Sequence, residues 1–334
     1  MVELSILDYA MIDEGKNAQQ ALDDTVRLAK LADKLNYKRF WITEHHNVPA
    51  FACSSPELLI MQLLGQTSHI KLGSGGVMLP HYSPYKVAEN FRMLENFYPN
   101  RVDLGIGNNV GTPIVKRAMD EDKADYLDYQ QSIIDIRQYI TDQTAEQRFP
   151  SIIGQPQISH HSDMWLLAMS QRSAKMAAEQ GMGFVLGTFL LPNETAIQSS
   201  KLSIQTYHDH FQTTSLQMEP RVIITVFTIV TDTEEQAYNL QQALDVWLLG
   251  KENFSEFDKF PSPETAAAYQ LSDRDRTRIQ DTHASILAGT IDTVKPKLDK
   301  MVEDFNADEV LIVPLLPGID NRCRTIELLA QAYL

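Results

Sequence analysis

Short apolar runs alternate along the chain with longer stretches in which apolar residues recur every three or four positions. The short runs are Leu4–Leu7, Arg39–Thr43, Ile70–Val77, Val102–Ile106, Trp165–Met169, Gly183–Gly187, Val222–Val230 and Glu309–Val313. Most are apolar on both faces, the pattern of strands buried in a parallel sheet. The longer stretches read as helices. In the first, Ala18, Leu22, Val26, Ala29 and Ala32 fall on one stripe. Pro56 stands near the start of the second, where its missing N–H costs nothing. Near the end of the chain Ile326, Leu329, Ala330 and Tyr333 share a helical face.

Strands alternating with helices imply a parallel sheet built from right-handed crossovers. Eight of them favour an α/β fold closed as a (β/α)8 TIM barrel over an open doubly wound sheet. No GxGxxG follows the first strand, which argues against a dinucleotide-binding sheet. The 334 residues fit a single barrel domain over 1–334, and no linker or repeat divides them. One segment breaks the rhythm. Residues 250–288 are polar, with a short helical piece at Pro263–Tyr269 and no convincing strand. This insertion after strand seven lies where barrel active sites sit, and it is expected to act as a mobile lid, with a static insertion as the alternative.

A net charge of −15 makes nucleic acid and anionic membrane surfaces poor partners. Cys53 and Cys323 are the only cysteines and form no disulfide framework, as in a reducing compartment. The first residues carry no basic leader, and no apolar run approaches the ~18 residues of a membrane span. A cytoplasmic location is expected.

Residues just past the strand C-termini face a barrel's active site. That rule collects "TEHHN", "GSGGVMLPH", "GIGNNVGT" and "AMSQRS". Neighbouring strand residues point to opposite faces, so His45 and His46 do not converge on one ion, and no HxH or HExxH spacing occurs. No metal is expected. Acid–base work beside Glu44 and an ordinary packed or solvated pair both stay open. Gly73, Ser74, Gly75 and Gly76 weaken a strand, which marks either a closely approaching flat ligand or tight backbone packing. "LLAMSQRSAKMAAEQG" reads as strand, loop and helix. Ser170 or Ser173 would cap that helix, as a plain N-cap or as an anion site to which Arg172 adds a charged fork. Phe51, Met78, His81, Tyr82 and Phe189 line a substrate pocket or belong to the core.

The segments "RFWITEHHNVP", "IKLGSGGVMLPHYSPYKVAENFRMLE", "YPNRVDLGIG", "MWLLAMSQRSAKMAAEQG" and "LAGTIDTVKPKL", in this order, resemble the bacterial-luciferase-like family of flavin-dependent monooxygenases. The resemblance spans nearly the whole chain. It implies a barrel that binds FMN at the strand C-termini, taken up as FMNH2 from a separate flavin reductase. With O2 the enzyme would oxidise a small aldehyde- or ketone-like substrate. It further implies His45 as acid–base residue and Ser74, Gly75 and Gly76 beside the isoalloxazine, with a non-prolyl cis bond at Gly75–Gly76. Met169, Ser170, Arg172 and Ser173 would lie at the phosphate, and the chain would be a homodimer. Two positions depart from the family pattern. Asn108 stands where many relatives carry an arginine near the phosphate, and AMSQRS replaces GSSGYS. Arg172 would supply the missing charge. The departures also suit a catalytically degenerate partner subunit or flavin-binding protein, and a deazaflavin-dependent oxidoreductase shares the same barrel.

Overall fold

The computed structural model describes residues 2–120, 128–143, 148–149, 151–191, 193–250, 257–283 and 285–334. Its strands are β1 (Glu3–Asp8), β2 (Arg39–Ile42), β3 (Lys71–Ser74), β4 (Val77–Met78), β5 (Val102–Gly107), β6 (Asp163–Leu167), β7 (Gly183–Gly187), β8 (Val222–Val230), β9 (Ile286–Gly289) and β10 (Glu309–Val313). The helices are α1 (Ala18–Lys34), α2 (Pro56–Leu64), α3 (Pro84–Phe97), α4 (Pro113–Asp120), α5 (Tyr129–Thr141), α6 (Gln171–Glu179), α7 (Glu194–His210), α8 (Glu234–Leu249), α9 (Pro263–Ala268), α10 (Asp273–His283), α11 (Ile291–Phe305) and α12 (Ile319–Tyr333).

All strand pairs are parallel, in the order β10-β1-β2-β3-β5-β6-β7-β8, and β8 pairs with β10 to close the ring. The eight runs predicted from the sequence are these eight barrel strands. Closure divides alternate residues between two cores, as a period of two requires. Leu7, Trp41, Trp165, Val185, Ile223 and Leu311 fill the interior cluster. Leu4, Ile6, Phe40, Leu72, Leu104 and Phe184 pack outward with Leu28, Ile60 and Phe91 of the helices.

The N-terminal ends of the strands are plugged by charge. Buried Arg39 donates Nε and Nη2 to Glu309 at 2.7 and 3.1 Å and Nη1 to Asp103 at 2.7 Å. Its guanidinium also lies 4.5 Å from the centroid of the Trp165 ring. The opposite, C-terminal end is thereby left as the open face.

Four sequence expectations change. The third strand does not run unbroken over Ile70–Val77. It stops at Ser74, turns through a cis Gly75–Gly76 peptide, and resumes as the two-residue β4. The strand expected at Trp165–Met169 is shifted toward the N-terminus and ends at Leu167. The stretch read as strandless contains the start of β9, which pairs with the far end of the nine-residue β8 from Phe227 to Val230. The α1 stripe is also turned. Ala21, Thr25, Leu28, Ala29 and Ala32 are buried, while Ala18 is exposed. The turn brings the Thr25 hydroxyl to Asp8 at 2.6 Å and the Asp33 carboxylate to the amides of Ser68, His69 and Ile70. Pro56 does open α2, and Ile326, Leu329, Ala330 and Tyr333 are buried on α12.

The insertion begins after α8, which ends at Leu249, as its expected start at residue 250 requires, and it carries α9 and α10. Residues 251–256 and 284 of it lie outside the described residues. Phe260 is fully buried and bonds by its backbone to Ile12 and Glu14 in the loop after β1, at 2.9 Å each. The Glu14 carboxylate accepts the Ser262 N–H (2.9 Å) and the Thr265 hydroxyl (2.8 Å). His283 joins α10 to Asp245 of α8 at 2.9 Å. The described part of the insertion is therefore moored over the C-terminal face at the β1 and β8 side. Among the described residues, no helix is long and apolar enough to cross a membrane. Cys53 and Cys323 are free and buried.

Candidate active site

One contiguous arc of the C-terminal rim gathers the residues singled out in the sequence. Around it come Tyr9 after β1, Glu44 and His45 after β2, the Gly75–Gly76 link with the short β4 that follows it (together the Gly75–Met78 turn), Asn108 after β5, and the loop from Ala168 into α6 after β6.

His45 stands in a half-buried aromatic box. Its ring stacks on Tyr9 (centroids 5.0 Å apart, 27° between planes) and tilts against Phe51 (4.7 Å, 52°). Nδ1 lies 2.9 Å from the Thr43 hydroxyl, and the backbone N–H donates to the Cys53 carbonyl at 3.1 Å. Among the described residues no hydrogen bond engages Nε2, which is left for an incoming molecule. Burial, and after it the neighbouring His46, push the imidazole down to about 4. It is a neutral ring at physiological pH.

His46, in the bend that follows β2, takes the other direction. Its Nε2 meets Glu44 Oε1 at 2.8 Å. Glu44 also accepts the Tyr82 hydroxyl on Oε1 (2.6 Å) and the Met78 N–H on Oε2 (2.9 Å). Burial, and then Glu44, push the Tyr82 phenol up, so its hydroxyl keeps its proton.

The glycines of the third strand have packing reasons of their own. A Cβ on Gly73 would lie 2.7 Å from Asp103 and from the Trp41 indole nitrogen. One on Gly75 would meet Leu7 at 2.5 Å, and one on Gly76 the Gly105 carbonyl at 2.8 Å. Close backbone approach at the β3–β5 seam is thus one physical origin of the glycine run. Ser74 is part of the seam. Its hydroxyl donates to the Gly105 carbonyl (2.8 Å) and accepts the Gly105 N–H (3.1 Å), so its only proton is spent between strands.

Of the two serines offered as the cap of α6, Ser170 is the N-cap, accepting the Ser173 N–H at 3.2 Å. The two hydroxyls lie 3.0 Å apart. Ser170 and Arg172 are exposed at the helix N-terminus, and Met169 is half-buried with its carbonyl bonded to Ser203. Asn108 is exposed at the neighbouring strand end. Serine hydroxyls, a guanidinium and the first-turn amides of α6 form a donor set that suits a phosphate.

Of the pocket candidates, Phe51 belongs to the His45 box and continues through Trp247 to Phe260 of the insertion, with centroids 5.6 and 5.3 Å apart. Phe189 packs on Phe227 at 4.6 Å. Met78 is buried. The His81 side chain is also buried, with its nitrogens facing Asp120 (3.1 Å) and the Val110 carbonyl (3.2 Å), so it braces the loop after β5. Tyr9 escaped sequence reasoning, and Thr43 is collected in "TEHHN" without a role of its own. Both lie at strand C-termini, so the same positional rule that found His45 reaches them. Among the described residues, no three His, Cys, Asp or Glu side chains group as metal ligands.

The sequence profile described as luciferase-like monooxygenase matches residues 2–308. YwcH, an uncharacterised protein of Bacillus subtilis (strain 168), is 38% identical over 100% of this chain and 99% of its own. The N-acetyl-S-alkylcysteine monooxygenase of the same organism is 29% identical over 100% and 99%. Among solved structures, apo-MsnO8 superposes with a TM-score of 0.86 at 30% identity, covering 100% of this chain and 98% of that one. The fold alone is shared with the FMN complex of the oxygenating constituent of 3,6-diketocamphane monooxygenase (TM-score 0.69, 18% identity, 99% and 96% covered). It is shared equally with an F420-dependent secondary alcohol dehydrogenase (0.65, 12%, 98% and 98%).

Proposed function

The chain belongs to the luciferase-like monooxygenase family, and from that premise we propose that it is an FMN-dependent monooxygenase. It takes FMNH2 from a separate reductase and oxidises a small neutral organic substrate with O2. The reading rests above all on one observation: His45 stands in its aromatic box past the end of β2 on the open face, and the adjacent Glu44 is bonded to the Met78 N–H of the Gly75–Met78 turn.

The residues of the arc suit FMN. The α6 N-terminus with Ser170, Arg172 and Ser173 would hold the phosphate, with Asn108 alongside. Met169 and the Gly75–Gly76 turn would border the ring system. Ser74 serves there through backbone rather than hydroxyl, since its proton is committed to Gly105. Arg172 stands in for the arginine that Asn108 replaces. When bound, reduced flavin supplies the electrons that activate O2.

The protein's part is positional and protonic. His45, neutral and oriented at Nδ1 by Thr43, offers Nε2 to accept or return a proton at the reacting atoms. Tyr9 and Phe51 wall the imidazole with Trp247 behind Phe51, which would limit water around it, and the insertion would act as a cover over the same face. Function in the cytoplasm as a homodimer is part of the proposal. The substrate is proposed to be carbonyl-like, as the family resemblance implies.

A cofactor panel tests this reading. Anaerobic titration with FMNH2, oxidised FMN and a reduced deazaflavin should show tightest binding of FMNH2. His45→Ala should keep that binding and lose at least about tenfold in coupled product formation. Tightest binding of the deazaflavin would favour a hydride-transfer enzyme on the same barrel. No binding of any at millimolar concentration would favour a degenerate partner subunit.

A further inference from the structure

Glu44 joins the two halves of the site. Its buried carboxylate receives donors from three places in the chain: the Met78 N–H on Oε2, and Tyr82 and His46 on Oε1. We propose that Glu44 is a positioning residue that fixes the Gly75–Met78 turn against the His45 rim and so sets the affinity for the flavin ring, an inference that rests on the function proposed above.

Met78 follows Gly75, Gly76 and Val77. Two of these are glycines without side chains, so the turn has few anchors of its own. The β4 pairing secures it on one side, at Val77↔Ile106 and Met78↔Gly107. On the β2 side, the Gly75 N–H donates to the Ile42 carbonyl at 2.8 Å. The Met78 N–H to Glu44 Oε2, at 2.9 Å, is the second tie. The other two donors hold the carboxylate itself. Tyr82 keeps its proton and donates, and His46 meets the same oxygen. Thr43 orients His45 while Glu44 orients the turn, so adjacent residues of one strand end serve the two parts of the site separately.

This role depends on reach and on an acceptor facing Met78, not on negative charge. A glutamine has the same length. Turned with its oxygen toward the Met78 N–H, it offers its NH2 to the Tyr82 oxygen and to His46 Nε2 in the other tautomer. An aspartate keeps the charge but is one methylene short of the span.

The test compares Glu44→Ala, Glu44→Asp and Glu44→Gln by two readouts. One is amide hydrogen exchange of residues 75–82 in the flavin-free protein. The other is the anaerobic Kd for FMNH2. Glu44→Ala and Glu44→Asp should speed exchange at Met78 and raise the Kd, each by roughly tenfold, the equivalent of one lost hydrogen bond to a charged group. Glu44→Gln should restore most of both. Should Glu44→Ala fail to fold, the order of the other two decides. Aspartate equal to wild type, or glutamine as damaging as alanine, would overturn the proposal. So would exchange that quickens evenly across the protein. If the wild-type chain binds no flavin at all, the proposed function falls, and the exchange pattern alone decides what Glu44 does to the turn.

Discussion

His45 and Thr43 illustrate how much a single side chain's surroundings decide. The sequence marked His45 by its place after a strand and expected it to part from His46; the two rings do part in the structure, although both lie past the end of β2 at Ile42, where their separate partners rather than strand alternation set their directions. What the sequence could not convey was the aromatic box, because Tyr9 and Phe51 come from loops that closure of the barrel brings together. The box lowers the imidazole from 6.5 to about 4. The unfolded chain therefore binds this proton more readily than the folded one between those values. Stability is complete above about pH 6.5 and is lost as pH falls toward 4. His45→Gln should abolish that share, so the difference in urea midpoint between pH 7 and pH 5 should shrink. An unchanged difference would mean the imidazole does not carry it. Thr43→Val, nearly isosteric, removes the partner of Nδ1. Turnover should drop roughly tenfold while the Kd for FMNH2 stays near wild type, a split that steady-state kinetics and titration read together.

At the scale of elements, the third strand was the least legible. An apolar run with glycines reads as one weak strand. The structure instead breaks it at Gly75–Gly76, because β3 and β5 approach too closely for side chains. Gly105 is the tightest point: an added Cβ would lie 2.1 Å from the Ser74 carbonyl oxygen. Gly107, two residues on, has only the Val77 carbonyl near, at 3.9 Å. Gly105→Ala should therefore cost more than about 3 kcal/mol or prevent folding, and Gly107→Ala should stay within about 1 kcal/mol. Equal urea midpoints for the two variants would contradict the seam. The α1 face was legible in period but not in phase. Alanine, leucine and valine mark a stripe equally well, whereas the hydrogen bonds of Thr25 and Asp33 select the face that turns inward. Polar residues with buried duties are invisible to an apolar pattern.

For the whole molecule, the count of eight strands was enough to identify the barrel, since parallel strands with helical crossovers have few ways to close. The division of labour between its ends was not readable. Arg39, Asp103 and Glu309 lie far apart in sequence and meet only at the N-terminal plug. Burial alone would raise the Asp103 carboxyl, but Arg39 and Lys71 outweigh it and hold it below its ordinary value. Arg39→Met should cost about 3–5 kcal/mol at pH 7, because two buried carboxylates lose the guanidinium they share. Denaturant unfolding measures the loss, and a cost under about 1 kcal/mol would deny the plug its structural role. The opposite face carries the central claim, that this family member handles reduced flavin and O2 beside His45. The most direct measurement loads the purified protein anaerobically with FMNH2, mixes it with O2, and follows flavin absorbance. The account expects saturable loading and a reoxidation course distinct from that of free FMNH2, altered again in His45→Ala. Absence of loading, or a course identical to that of flavin in buffer, would contradict it.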